Sequence, residues 1–322
     1  MVHTIYLLAT EIYKLYILRI ILIERSLYMG NCKSSHRSHI YLVKKNLTKI
    51  PNIVRASTPN IVDLGCNRIT KLENLPNSII TLYASENLIL KLENLPSHLT
   101  WLCIYSNNIE KLENLPQTLE FLQVGHNNIT KLENLPSRLK NLQINNNKIS
   151  KLENLPATLE VLQINYNNIT KLENLPNSLR ILQINSNYIT KIENLPQLLR
   201  TLAINDNIID KLENLSNLEI LSANKNYISI IENLPITLRE FYISNNQITK
   251  FQNLPQLLQI IHINNNHIKV LENIPNSTIR LFMDGNPITT INEINPRAWL
   301  KLLNIYIKMD RLSRYMQLDI EI

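Results

Sequence analysis

The sequence predicts an α/β-type repeat solenoid in which each repeat adds one short strand to a continuous parallel sheet. Three observations predict it. A nearly constant segment recurs every 20 residues, apolar side chains alternate across the middle of each copy, and an asparagine stands at the same place in the copies.

The recurring segment begins Lys71-Leu-Glu-Asn-Leu-Pro and returns at Lys91, Lys111, Lys131, Lys151, Lys171, Lys191 and Lys211, with weaker copies at Ile230, Lys250 and Val270. The unit at Lys211 is one residue short, and the units near Lys49 and Ile40 are degenerate. Within the unit that starts at Lys171 the pattern is Leu179-x-x-Leu182-x-Ile184-x-x-Asn187-x-Ile189. This resembles the leucine-rich-repeat family, which implies a horseshoe with a parallel concave β-sheet. The short unit and the Leu-Pro before the strand are similar to the repeats of bacterial type III effectors. The Ile/Asn/Lys/Tyr-rich composition is similar to repeat arrays of giant, mimivirus-like viruses.

Each position of the unit has a physical reason. Leu182 and Ile184 alternate as a strand requires and point inward, so Ile181, Gln183 and Asn185 face the other way. Asn187 follows where the chain turns off the sheet. Its amide both donates and accepts, so it can serve backbone groups of its own turn and the adjacent one. With only 4 glycines in 322 residues, a column of such asparagines is expected to replace glycine in the turns. Pro176 and the short return segment leave no room for a helix, so the convex side is expected to be mostly extended. Lys171 and Glu173 recur there, and their columns are expected to interleave into ion pairs. Exposed pairs of this kind serve solubility and register more than stability.

Three segments follow: an N-terminal extension over 1–39, the array over 40–295, and a C-terminal cap over 296–322. The cap is expected to be helical, because Trp299, Leu302, Leu303, Tyr306, Met309 and Met316 recur at helical spacing after Pro296. An interaction helix is the other reading of that segment. In the extension, Met29-Gly30-Asn31-Cys32-Lys33-Ser34-Ser35 matches the N-myristoylation pattern, with Gly30 the acylated residue and Cys32 a second acylation site. The match counts if translation starts at Met29; a start at Met1 makes it accidental and turns the first 28 residues into a cap. Residues 5–23 are apolar but broken by Glu11, Lys14 and Arg19, so neither a spanning helix nor a signal peptide is expected. The expected location is intracellular, in a host cytoplasm, with membrane attachment if the acylation pattern is used.

Charge and cysteine content narrow the function. The net charge is +7, of which residues 1–50 carry +6 and 297–322 carry +2, leaving −1 for the middle of the chain. The array therefore offers no positive stripe for phosphates, and nucleic acid is not the expected partner. Cys32, Cys66 and Cys103 are odd in number and irregular in spacing, which fits a reducing compartment. No ligand-spaced Cys/His/Asp group, phosphate loop, nucleophile elbow or carboxylate pair occurs, so no cofactor, metal or catalytic activity is expected. Some effectors of the resembling class carry a ubiquitin-ligase domain after the repeats. All three cysteines here precede residue 104 and little chain follows the array, so that activity is not expected.

The concave face is free of packing duties, and recognition is expected there. One of its rows reads Tyr83, Cys103, Gln123, Gln143, Gln163, Gln183, Ala203, Ser222, Tyr242, His262 and Phe282, and the next runs from Ser85 through Tyr105, Gly125 and Asn145 to Asn264. The middle is an amide carpet of Gln and Asn, flanked by aromatics. The candidate partner-binding residues are Tyr83, Trp101, Tyr105, Phe121, Gln123, His126, Gln143, Gln163, Gln183, Tyr242 and His262. Trp101, Tyr105 and Phe121 are expected to form the principal hot spot. The competing reading of the carpet is a ladder of amides bonded to one another. The functional expectation is a monomeric, non-enzymatic protein-binding scaffold, viral or effector-like, acting on host components. A structural or surface component of a virus particle and a nucleic-acid scaffold are the alternatives.

Overall fold

The computed structural model describes residues 39–292 except Ser216. Thirteen strands, from His39–Tyr41 to Arg280–Phe282, stack in sequence order into one parallel sheet. Each is three residues long, and the register is one period per step: Leu142 pairs with Leu162, Leu162 with Leu182, and Leu182 with Leu202. The central residue of every strand from Val62 to Ile261 is buried, as is the apolar residue two positions on, Ile164 and Ile184 among them. The alternation read from the sequence is thus the division between core and open face.

The return segments complete the core. Leu172, Leu179 and Ile189 are buried with the strand leucines in one continuous cluster, each contributing about 1.5 to 3 kcal/mol of transfer free energy. Pro176 sets a tight turn, whose carbonyl accepts the N–H of Leu179 at 3.1 Å, and that turn delivers the chain to the next strand. Among the described residues the only helix is Asn52–Ala56. Two small parallel ladders lie outside the main sheet, Lys211–Leu212 with Ile230–Ile231 and Val270–Glu272 with Thr290–Asn292. The convex side is otherwise extended, as its proline and short length require.

The asparagine after each strand behaves as its chemistry dictates. Asn167 is 5% exposed. Its Nδ2 donates to the carbonyls of Ile144, Ile164 and Asn165 at 3.1 to 3.3 Å, and its Oδ1 accepts the Ile149 N–H at 3.0 Å. Two of those partners belong to the preceding repeat, so each amide stitches adjacent turns together.

The replacement of glycine is done elsewhere, however. The left-handed backbone falls on the Asn of Glu-Asn-Leu-Pro, at φ 57° for Asn174, and on the residue just before the buried asparagine, at φ 53° for Ser186 and 55° for Tyr166. Asparagine tolerates that region better than other residues with a side chain. The second site varies, from Cys66 and Glu86 through His126 to Lys225, yet no β-branched residue occupies it, because branching at Cβ crowds the backbone there.

The ion pairs also differ from the interleaved columns expected. Lys71 to Glu73, Lys111 to Glu113 and Lys151 to Glu153 pair within one repeat at 3.5 to 3.7 Å, all well exposed. Lys211, in the same column, pairs with Glu213 at 2.8 Å and also reaches forward to Glu232 at 3.1 Å. The expected C-terminal helix at 296–322 and the acylation segment at Gly30 and Cys32 lie outside the described residues.

Candidate functional site

The open face carries two aromatic groups separated by amides. In the first group Trp101 and Phe121 occupy paired positions on adjacent strands and stack nearly parallel, with centroids 3.6 Å apart and planes 6° apart. The Trp101 Nε1–H donates to the Cys103 sulfur at 3.2 Å. Tyr105 lies beside His126, centroids 4.7 Å apart. Trp101 and Tyr105 are half-buried, and His126 is exposed by the left-handed turn that carries it. Phe121 is only 8% exposed. It is therefore the support on which Trp101 lies, and Trp101 and Tyr105 are the more open rings of the group. Tyr83, half-buried, faces Cys103 across the strand pair.

The next residue of the Trp101–Phe121 row is Asn141, whose Oδ1 is buried with no hydrogen-bond partner. Val161 and Ile181 follow it, so this amide stands between Phe121 and Val161, both apolar. Leaving such an acceptor unpaired costs about 1 to 3 kcal/mol.

The amides of the middle do bond to one another. Gln123 donates to Gln143 at 3.1 Å. Gln143 and Gln183 are buried and Gln163 is half-buried, which leaves the glutamines little reach toward a partner. In the neighbouring row Asn185 and Asn205 each donate Nδ2 to the Oδ1 one repeat earlier, at 2.9 and 2.8 Å. The central carpet is thus laddered from Asn165 to Asn224 and at Gln123–Gln143.

The second aromatic group joins Tyr242, His262 and Phe282 on three consecutive strands, with His262 4.7 Å from the first ring and 4.2 Å from the last. Tyr242 donates to the Glu240 carboxylate at 2.7 Å. Burial first, and that carboxylate second, push the Tyr242 hydroxyl's pKa upward. Burial, with the Arg280 charge behind it, pushes the His262 ring down to about 4, so the ring is neutral at physiological pH. His126, in the turn after strand Phe121–Gln123, and His262, on strand Ile260–His262, belong to well-separated repeats. Among the described residues no group of three or more His, Cys, Asp or Glu is placed to hold a metal ion.

One surface escaped the sequence reading. The position just after the buried asparagine is polar at Asn108, Asn128, Lys148 and Asn168, then becomes Tyr188, Ile208 and Tyr227 in successive turns. These side chains are 55, 42 and 56% exposed and form an apolar strip on the flank of the array. The signal was the change of residue type along that row, visible once the row is known to face solvent.

No protein-family model and no curated protein sequence matches the chain. Solved structures do. The chain is similar to YopM, a leucine-rich effector protein from Yersinia pestis, at 26% identity and TM-score 0.60 over 81% of this chain and 86% of that one. It is similar to YopM from Yersinia enterocolitica at 25% identity and TM-score 0.58, where it covers 79% of itself but 64% of that chain. The functional domain of InlJ from Listeria monocytogenes shares the fold at 21% identity and TM-score 0.57, over 81% of this chain and 56% of that one. The period, the buried leucine and asparagine rows, the one-strand-per-turn sheet and these neighbours agree: the chain is a leucine-rich-repeat solenoid.

Proposed function

We propose that the chain is a non-enzymatic scaffold that binds a protein partner through the open sheet face, with Trp101 and Tyr105 at the centre of the contact. The observation that carries this reading is the Trp101 ring, laid flat on Phe121 on a face that has no core to fill. Rigid aromatic area of this kind is what protein interfaces use as anchors. The resemblance to an effector supports a role on host components. Affinity capture with the full chain, followed by binding measurements on Trp101→Ala, tests the reading. The expected loss is about 2 kcal/mol or more, roughly 30-fold in Kd. A captured partner that binds the variant as well as wild type overturns it.

The strip of Tyr188, Ile208 and Tyr227 favours a second reading, in which the flank is the docking surface. A Tyr188→Ser, Tyr227→Ser double variant that loses the partner while Trp101→Ala keeps it would establish the flank instead. Membrane attachment through Gly30 and Cys32, in a protein that begins at Met29, rests on the sequence pattern alone and belongs to the same proposal. Mass spectrometry of the native N-terminus tests it: peptides from residues 2–28 would rule it out.

A further inference from the structure

The outer asparagine row contains a repeated device. In Asn185, Asn205 and Asn224 the backbone N–H and the side-chain Nδ2 converge on a single oxygen, the Oδ1 of the asparagine one repeat earlier. The distances are 2.7 and 2.9 Å for Asn185, 2.8 and 2.8 Å for Asn205, and 2.7 and 3.0 Å for Asn224. Each is a two-donor fork closed by one carbonyl oxygen.

Asn145 heads this row. Its Oδ1 accepts the Asn165 N–H at 2.8 Å, so it is part of the ladder on its C-terminal side. On the other side the preceding residue of the row is Gly125, which has no side chain to supply an acceptor. Among the described residues neither the backbone N–H nor Nδ2 of Asn145 has a recorded acceptor. The side chain is half-exposed, and the fork opens on the same face as Trp101 and Tyr105.

We propose that this fork receives a carboxylate side chain of the polypeptide partner, one oxygen standing where the row lacks an Oδ1 and accepting both Asn145 donors. The inference rests on the scaffold reading above and names the partner's chemistry. The repeats themselves show that an sp² oxygen fits such a fork. The choice of carboxylate over carboxamide comes from the fork itself, which offers two donors and no acceptor: a carboxamide would bring an NH2 that the fork does not use, whereas a carboxylate is acceptor-only. The Tyr105 ring stands beside it, its Cδ2 3.4 Å from where a Cβ on residue 125 would sit. Hydrogen bonds to an ionised acceptor are also the stronger kind. A free small acid would leave most of its surface in water on so open a face. A polypeptide adds contacts with Trp101 and Tyr105 alongside.

The test uses the full chain labelled with ¹⁵N, titrated with N-acetyl-aspartate methylamide and, as the matched carboxamide, N-acetyl-asparagine methylamide. The aspartate compound should move the backbone and side-chain amide signals of Asn145 severalfold more than the asparagine compound does. The signals of Asn185, whose fork is closed, should stay still. Gly125→Asn, which supplies the missing oxygen from within, should abolish the response. A Cβ there approaches the Asn145 carbonyl oxygen at 3.0 Å, so Asn145→Asp, which removes the Nδ2 donor without added bulk, is the second variant and should also abolish it. Asn145 signals that do not move, that respond equally to both compounds, or that move together with Asn185 overturn the proposal. A captured protein that binds Asn145→Asp as it binds wild type overturns the fork and leaves the scaffold reading standing. Binding of the aspartate compound by a chain that captures no protein does the reverse.

Discussion

One row of asparagine runs the length of the array and a second occupies its middle two residues away on the open face, and they lead different lives. Asn167 is buried and bonded to backbone groups of two turns, while Asn165 sits half-exposed on the open face and serves only the next rung of a surface ladder. The inner row is asparagine in every turn from Asn67 to Asn286; the outer row admits Ser85, Tyr105, Gly125, Ser244 and Asp284. The residue is the same and its surroundings set its importance. A buried amide that loses its partners leaves orphaned backbone groups, whereas a surface amide hands its partners to water. The outer row is therefore free to change, and its changes set the chemistry of the open face.

The comparison can be broken most easily at the core that both rows flank. Leu162→Ala is expected to cost about 2 to 5 kcal/mol, and Gln163→Ala, the neighbour that points the other way, almost nothing. Equal shifts of the urea midpoint would mean that inner and outer positions are misassigned. Next in size is the contrast between the rows themselves. Asn167→Ala should cost about 1 to 3 kcal/mol and Asn165→Ala about 0.5 to 1, since only the first leaves buried groups unpaired. If Asn165→Ala proves as damaging, the outer ladder is part of the framework and not a tolerant surface.

The open face is not inert everywhere, and pH can reveal where. His262 takes its proton near 4 when folded, below its ordinary 6.5, because burial and Arg280 disfavour the charge. Between those values the unfolded chain holds more protons, so stability is constant above about pH 6.5 and falls as pH drops toward 4. The loss should reach about 1 to 2 kcal/mol, allowing for the ring's partial exposure. His262→Phe should flatten that slope in urea melts across the same range, and an unchanged slope would remove His262 as its source. The smallest effect is a gain: Asn141→Val, matching Val161 beside it, should stabilise by about 1 kcal/mol by removing the unpaired Oδ1. A thermal melt that shows a loss would mean that this amide has a partner in solution.

Much of this was legible in the sequence, because spacing carries it. A period of 20 with Leu182, Ile184 and Asn187 at set offsets determines strand, core and turn by elementary alternation and hydrogen-bond accounting. What was not legible depends on which residues touch across turns. The sequence placed Trp101 and Phe121 together but could not show that one ring lies on the other, with Phe121 the more buried of the two. It pointed to asparagine for the missing glycines but could not divide the work between Asn187, which serves the backbone, and Asn174, which takes the positive φ. The lysine and glutamate columns implied pairing without telling Lys151–Glu153, within a turn, from a pairing between turns. The fork at Asn145 needed the hydrogen bonds of the rungs beyond it, since Gly125 in the sequence reads only as an absent side chain.

The short unit at Lys211 has a consequence for how such a chain can change over generations. Strand Thr201–Ala203 pairs with Ile220–Ser222 at a separation of 19 residues, where the next step, Ile220 to Glu240, is 20. The inner asparagine still reaches its usual partners across the shortened unit: Asn226 bonds Ile204 at 3.1 Å and receives Ile209 at 3.2 Å. The strand and its turn act as a fixed gauge, and the return segment takes up the difference in length. Exchange between misaligned copies of the repeat-coding DNA adds or removes whole units, and each survivor then meets a neighbour with the same gauge. The number of turns can drift between lineages while every junction keeps its fit, and a shift in the distance between the two aromatic groups would follow directly from one such event.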